Sequence, residues 1–571
     1  MRQLDWIVLA TTLLFIVLFG MWKGRGSRNI KDFLLADRSM KWYTVALAIM
    51  ATQASAITFT STPGQAYADG MRFVQFYFGL PIAMVILCIT AVPIFHKLGV
   101  YTAYEYLEKR FDAKTRVLTT LIFLVSRGLA VGMTIYAPSL VLSVMLGVDI
   151  RITSVIIGGL VIIYTTSGGV KAVNYTDFFQ LIVIMAGMCI ALGIALYLLP
   201  KEISFTDALS VSAVMGKLNT VDLSLDFSNR YNVWSGIIGG MFVALAYFGT
   251  DQSQVQRYLT GESVTQSRLA LLFNGMAKVP MQFFILFIGV IVFVFFQFVQ
   301  PPLVFNPVEA AKVKSGARAQ EFRQLEEKYS TLFLEKSEQM REYLQARHQH
   351  DDIQAGKKKT ELLMLQHRYE GVRAEASVLL TENDQKSDTS DTNYIFLTFV
   401  LTYLPAGLVG LLFACIFAAS MSSSSGELSA LATTSIIDIY KRFVKREASE
   451  KHYLMVSRIM MALWGLYGIA FAQYASRLGS LVEAVNILGS LFYGTMLGIF
   501  LLAFYCKPVK GTDVFVGALT GEIVVLYCFQ YTSIAWLWYN VIGCFVVVGV
   551  SITLSVFERY KTSSLPASSL L

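Results

Sequence analysis

The residues with the densest chemistry in this chain are the oxygens of FAASMSSSSGE, residues 417–427, where a run of serines ends in Glu427 inside an otherwise apolar segment that continues to Asp438. Polar side chains at membrane depth are costly without partners, so their presence points to function. If the segment is helical, Ala419, Ser422, Ser423 and Gly426 share one face at i, i+3, i+4 and i+7, with Ser425 beside them. That face is a ladder of oxygens turned toward one partner. The plainer reading is that small residues let two helices approach closely while the serines bond across.

A second polar stretch, ATQASAITFTSTPG at 51–64, is too rich in Thr, Ser, Gln, Pro and Gly for a uniform lipid-facing helix. Unwound backbone is tolerated at that depth only where it is buried or lines a cavity, so a helix break is expected there. Three ionisable residues add to this inventory. Arg127 lies within an apolar run and must face a polar interior, where it either pairs with a carbonyl or carboxylate or meets an anionic substrate. Asp177 falls just inside a span, and Lys278 shares another with Pro280.

The elements that must position these groups are membrane helices. With 55% hydrophobic residues, 15% charged residues and a mean hydropathy of +0.56, the chain is too apolar for a soluble protein of 571 residues. Its apolar runs are long enough to cross about 30 Å of hydrocarbon, whereas a closed barrel would show short alternating segments. The six cysteines lack metal-ligand spacing and read as buried thiols. The formal charge of +8 sits mostly in loops, which the positive-inside rule explains without nucleic acid. No Gly-Lys-Ser/Thr motif occurs in the loops, which disfavours ATP-driven pumping.

Basic loops order the spans. The first, near 4–21, lacks a small-residue cleavage site and reads as a retained helix. Twelve more follow near 42–64, 73–95, 117–146, 152–166, 170–199, 234–249, 269–299, 408–438, 453–475, 481–505, 514–531 and 535–557. The expected fold is all-α and polytopic with thirteen transmembrane helices, the N-terminus outside and the C-terminus cytoplasmic. The broken second span and the polar seventh lie five spans apart, as an inverted five-plus-five repeat requires. The chain then divides into 1–41, a first helix and cytoplasmic loop; 42–199, the first repeat; 200–233, an external loop; 234–305, the start of the second repeat; 306–392, an external charged insertion; 393–505, the rest of the second repeat; and 506–571, two helices and a tail. The insertion has helical periodicity and reads as a hairpin turning near Gly356, and DTNYIFLTFVLTYLP after it as a short helix at the outer surface.

These residues carry a resemblance. GQAYADG after the broken span, TAYEYLEKRF, YAPSLVL, TSGGVKAVNYTDFFQ, YFG with QVQRYL, and the serine run ending in DIYKRF together resemble the sodium:solute symporter family over nearly all the chain except the insertion. The resemblance implies a sodium-coupled symporter, not an enzyme, in the plasma or inner membrane. It implies a sodium site made by the carbonyls of Ala51, Ala54 and Ala419 and the hydroxyls of Ser422 and Ser423, neutral oxygens that suit a hard cation. A second sodium would use Asp177, Ser422 and Ser425, with Gly426 standing where the family has a hydroxyl and Glu427 where an apolar residue is common. Gln53, Ser55 and Thr58 would face the solute, Phe73 would form an outer lid, and Tyr247 an inner gate, with Tyr77, Arg127, Asn486 and Tyr493 nearby. Tyr77 and Ala244 replace polar residues of the sugar carriers, which favours a carboxylate-bearing solute met by Arg127 over a sugar. Proton coupling through Asp177 or Glu427, and a solute sensor that binds a protein partner through 306–392, are the other readings.

Overall fold

The computed structural model describes residues 1–24, 40–53, 55–98, 102–167, 170–385 and 387–563, and every regular element among them is helical. Nine helical stretches among the described residues are long and apolar enough to cross a membrane. The chain starts with α1 (Gln3–Gly24) and α2 (Trp42–Gln53), which stops where the sequence predicts a break. α3 (Ala56–Asp69) begins immediately after Ser55, whose backbone is extended at φ −71° and ψ 175°. The freed carbonyl of Gln53 is partly answered by the Thr58 hydroxyl at 2.7 Å. After a 3₁₀ turn, Gly70–Tyr77, come α4 (Leu80–Ile89), α5 (Ala91–Leu98) and α6 (Tyr104–Arg110).

The long α7 (Ala113–Leu146) is started by Asp112, whose carboxylate accepts from the Thr115 amide, and ended by Gly147 in the left-handed region. α8 (Ile150–Ser167) and α9 (Val170–Tyr197) follow, and Ser204 with Asp207 forms a capping box for α10 (Phe205–Val214). A π turn at Ser235–Gly239 leads into α11 (Gly240–Gly249). The chain breaks again at Thr250, and Asp251 caps α12 (Gln252–Tyr258) before α13 (Val264–Phe298).

The insertion contains α14 (Pro307–Lys314), α15 (Ala319–His348) and α16 (Asp352–Asn383). The last two form a hairpin, but its turn is not at Gly356. The reversal occurs at His350, which takes φ 56°, and Asp351 caps α16, so that Gly356 lies inside a helix. A local cap outweighs a helix-disfavouring glycine, worth about 1 kcal/mol each way. The hairpin has its own core, with Tyr329 stacked on Tyr369 at 4.3 Å between Phe322, Phe333 and Leu380. Lys336 is buried there over the Tyr369 ring at 3.7 Å, and burial pushes its amine down to about 7.

α17 (Ile395–Tyr403) is buried along most of its length. α18 (Leu408–Thr434) carries the serine run as continuous helix and passes into a π-helical stretch, Ser435–Val444. α19 (Glu450–Ala472), α20 (Leu481–Tyr505), α21 (Gly511–Tyr531) and α22 (Leu537–Ser563) complete the chain. Arg373 of α16 donates to Asp391, whose other oxygen accepts the Phe305 amide, and this ties the insertion to the 3₁₀ turn Asp391–Asn393. That turn in turn lies on α3, where the Thr392 carbonyl fills the space a side chain at Gly64 would need, and on α20, whose Leu481 amide donates to Asn393 at 3.0 Å.

Candidate functional site

The break between α2 and α3 lies beside a cavity of about 150 Å³. Its wall is built from Thr52, Gln53, Ser55 and Thr58 at the break, Phe76 and Tyr77 before α4, Arg127, Ala130 and Thr134 of α7, Val243, Ala244 and Tyr247 of α11, Lys278 of α13, Ser423 and Glu427 of α18, and Asn486 and Tyr493 of α20. Gln53, Ser55, Thr58, Tyr77, Arg127, Tyr247 and Asn486, all expected from sequence to face a solute, line this one space. Phe73 does not. It is fully buried one ring behind the wall, 6.0 Å from Tyr77 and 5.2 Å from Tyr231, because the 3₁₀ turn directs Phe76 and Tyr77 inward in its place.

The serine helix meets the C-terminal end of α2. The Ser423 hydroxyl faces the Thr52 carbonyl at 3.4 Å, and Ala51, Ala419, Ser422 and Ser423 are all buried. A helix ending inside the protein presents carbonyls without helical partners, the negative end of its dipole. Serine hydroxyls opposite those carbonyls make an all-oxygen surface of the kind a hard monovalent cation takes. Ala54 lies outside the described residues, as does the side chain of Asp177. Ser425 is buried on the same helix. At Gly426 a Cβ would stand 2.5 Å from Arg257 Nη2, so an arginine occupies the space beside that glycine.

Polar groups of four helices converge below the serines. Arg127 donates to Glu427 Oε1 at 3.0 Å, to the Tyr493 hydroxyl at 2.7 Å and to Asp251. The Tyr493 hydroxyl donates onward to Asp251 at 3.2 Å, and Ser253 caps the other oxygen of Asp251. Glu427 Oε2 accepts from Thr134 at 3.0 Å, whose hydroxyl also accepts from Ser424. The Arg127 guanidinium lies 5.5 Å from the Tyr247 ring centroid. Arg127, Asp251 and Glu427 are 3%, 1% and 6% exposed, and a buried ion group of this kind holds only if its charges and lone pairs are matched. Asp251, in GTDQSQ at the end of the seventh span, is a residue of this group that the sequence pattern did not single out. Its signal was an acid at the end of a span that also carries glycines.

Lys278 stands apart from that group. It is 2% exposed, its ammonium is 3.4 Å from the Gln53 carbonyl at the helix break and 5.6 Å from the Tyr77 ring, and no carboxylate among the described residues forms a salt bridge with it. Gln282, one turn on, donates to the Tyr77 hydroxyl at 3.1 Å and holds that ring in the wall.

Comparison with known proteins adds to this geometry. The family model for the sodium:solute symporter family matches residues 33–327 and 363–524, leaving residues 328–362 in the distal hairpin between the two stretches. The sodium-coupled monocarboxylate transporter 1 of Xenopus laevis is 27% identical over 526 residues, covering 92% of this chain and 71% of that protein. The human sodium/iodide cotransporter is 32% identical over 305 residues, 52% of this chain and 47% of that protein. Among solved structures, a Na⁺-coupled sialic acid symporter in a substrate-bound outward-open state superposes with a TM-score of 0.73 over 97% of this chain and 98% of that one, at 22% identity, which establishes a shared fold.

Proposed function

The chain belongs to the sodium:solute symporter family, and we propose that it imports a small carboxylate-bearing solute with sodium across the plasma or inner membrane by alternating access. Sodium is the coupling ion. The observation that carries the solute class is Lys278, a buried ammonium on the cavity wall without a carboxylate partner among the described residues. Arg127, the cation expected from sequence to meet the solute, is already matched by Asp251 and Glu427. Among the described residues the four ionisable groups on or touching the wall, Arg127, Lys278, Asp251 and Glu427, balance when all are ionised. A sodium ion with a monocarboxylate preserves that balance, whereas sodium with a neutral sugar leaves one buried charge unmatched, which is costly in a low-dielectric site. The similarity to a monocarboxylate carrier points the same way.

Sodium would bind where α2 ends, to the carbonyls of Ala51, Ala54 and Ala419 and the hydroxyls of Ser422 and Ser423. The contact of Ser423 with the Thr52 carbonyl supports that placement. A second sodium at Asp177 and Ser425 is the extension of this reading, with the Arg257 guanidinium against Gly426 as its local competitor. Sodium favours the outward-open state and solute then permits occlusion; one sodium with one monocarboxylate carries no net charge, so the sodium gradient drives the cycle, and the membrane potential adds about 2.3 kcal/mol per 100 mV only for a second sodium. The thirteen-helix topology, with the N-terminus outside, the C-terminus inside and a five-plus-five repeat, is the frame for this cycle, and the breaks at Ser55 and Thr250 support it. An uptake screen in proteoliposomes across short carboxylates, sialic acid, proline, vitamins and sugars, each with and without a sodium gradient, tests the reading. Sodium-dependent uptake confined to sugars would reject the carboxylate assignment.

A further inference from the structure

Outside the cavity, one intramembrane carboxyl forms no salt bridge among the described residues. Glu522 is the twelfth residue of the 21-residue Gly511–Tyr531 helix, about 16 Å along α21 and near the middle of a span. Both its oxygens are buried and make no close hydrogen bond, with the Thr495 hydroxyl at longer hydrogen-bonding reach. The Thr495 side chain of α20 is the polar group that bears on it.

Three more oxygens at this helix junction are buried and likewise make no close hydrogen bond: Thr495 Oγ1, Ser490 Oγ and Asn540 Oδ1. Glycine packing brings their helices together. A Cβ at Gly521 would lie 3.6 Å from Thr495 Oγ1 and 3.2 Å from the Gly543 carbonyl, and one at Gly494 would lie 2.6 Å from the Asn540 carbonyl. Ser490 is one turn before Gly494 on the same face. Of the charged groups on the elements packed here, Asp112, Lys114, Lys510 and Asp513 lie at the far end of the helix with Glu558 of α22, which pairs with Lys510; Arg116 and Arg127 of α7 are held by Asp438 and by Asp251 and Glu427, and Glu483 of α20 by Arg230. Asp513 is nine residues, about 14 Å, from Glu522.

A carboxyl facing a threonine hydroxyl at mid-span, with two further buried oxygens on the same packed helices, offers hard oxygen donors to a monovalent cation, and a bare carboxylate there is expensive. We propose that the junction of α20, α21 and α22 is a monovalent-cation site in which Glu522 and Thr495 hold a proton or a sodium ion, apart from the solute cavity and the serine helix. Occupancy would reach the cavity through α20, since Tyr493, two residues before Thr495, lines it and bonds Arg127. The site does not depend on the identity of the solute.

Dicyclohexylcarbodiimide adds to protonated carboxyls in apolar surroundings, so the full chain in liposomes can be labelled and Glu522 followed by mass spectrometry, with Glu522→Gln as the unlabelled control. The expected result is modification at pH 6 in sodium-free buffer that falls at least tenfold when the cation is exchanged. Loss on adding 100 mM sodium at constant pH identifies sodium, and loss only on raising the pH to 9 identifies a proton. No modification under any condition, or equal modification under all of them, overturns the proposal, the second because it marks a permanently neutral structural carboxyl.

Discussion

Replacing Lys278 by methionine removes the ammonium while keeping an unbranched side chain of similar length, so the wall between α13 and the helix break stays filled. The residue is 2% exposed and its ammonium holds only a 3.4 Å contact to a carbonyl and a ring 5.6 Å away, so little native structure is lost with it. A hydrogen bond between an ammonium and a carboxylate contributes about 1.5 to 3 kcal/mol. At 1.4 kcal/mol per tenfold, the half-saturating concentration of a short carboxylate should rise about 10- to 100-fold. The assay is uptake of a labelled monocarboxylate and of its neutral amide in proteoliposomes under one sodium gradient. The acid should lose affinity on this scale while the amide changes little. An equal loss for both, or no loss for either, would refute the assignment of Lys278 as the group that reads negative charge.

Arg127→Met leaves Asp251 and Glu427 buried without their cation and should cost about 3 to 5 kcal/mol. Adding Glu427→Gln should recover part of that loss in thermal denaturation, and strictly additive losses would argue against coupling. Arg373→Ala removes the tie between α16 and Asp391, so amide hydrogen exchange should quicken in the hairpin and in the 3₁₀ turn Asp391–Asn393; unchanged protection would show that the tie is idle. Asp388 is buried against the hydroxyls of Tyr136 and Tyr394, and burial raises its carboxyl from 3.8 to about 6. The native state therefore holds this proton where the unfolded state has released it, so its contribution to stability is present below pH 4 and lost as the pH rises to about 6. Asp388→Asn should flatten the stability profile across that interval, measured by thermal shift.

The parts of this protein legible in its sequence are those where membrane physics restricts the choices. The break at Ser55 follows from a polar stretch that no lipid-facing helix can hold, and the burial of Ser422 to Ser425 follows from hydroxyls that need partners. What sequence order could not give was pairing across distance. Arg127 was recognised as a group needing a partner, but its partners lie 124 and 300 residues away, and Asp251 becomes available only because α11 stops at Gly249. Which face of a 3₁₀ turn looks inward is equally invisible: Phe76 joins the expected Tyr77 on the wall, while Phe73, expected as an outer lid, packs behind them. In the hairpin, Gly356 was the obvious breaker, yet Asp351 as a cap decided the turn.

The central claim is that sodium held between the end of α2 and the serine helix drives solute entry. Its most direct test is carboxylate uptake into proteoliposomes with sodium outside, with choline replacing sodium, and with Ser423→Ala protein in sodium. The account predicts accumulation that requires sodium and a sodium half-saturation raised about tenfold or more by the loss of one ligand hydroxyl, about 1.4 kcal/mol or more. Uptake that continued unchanged in choline, or a Ser423→Ala protein with native sodium dependence, would contradict it.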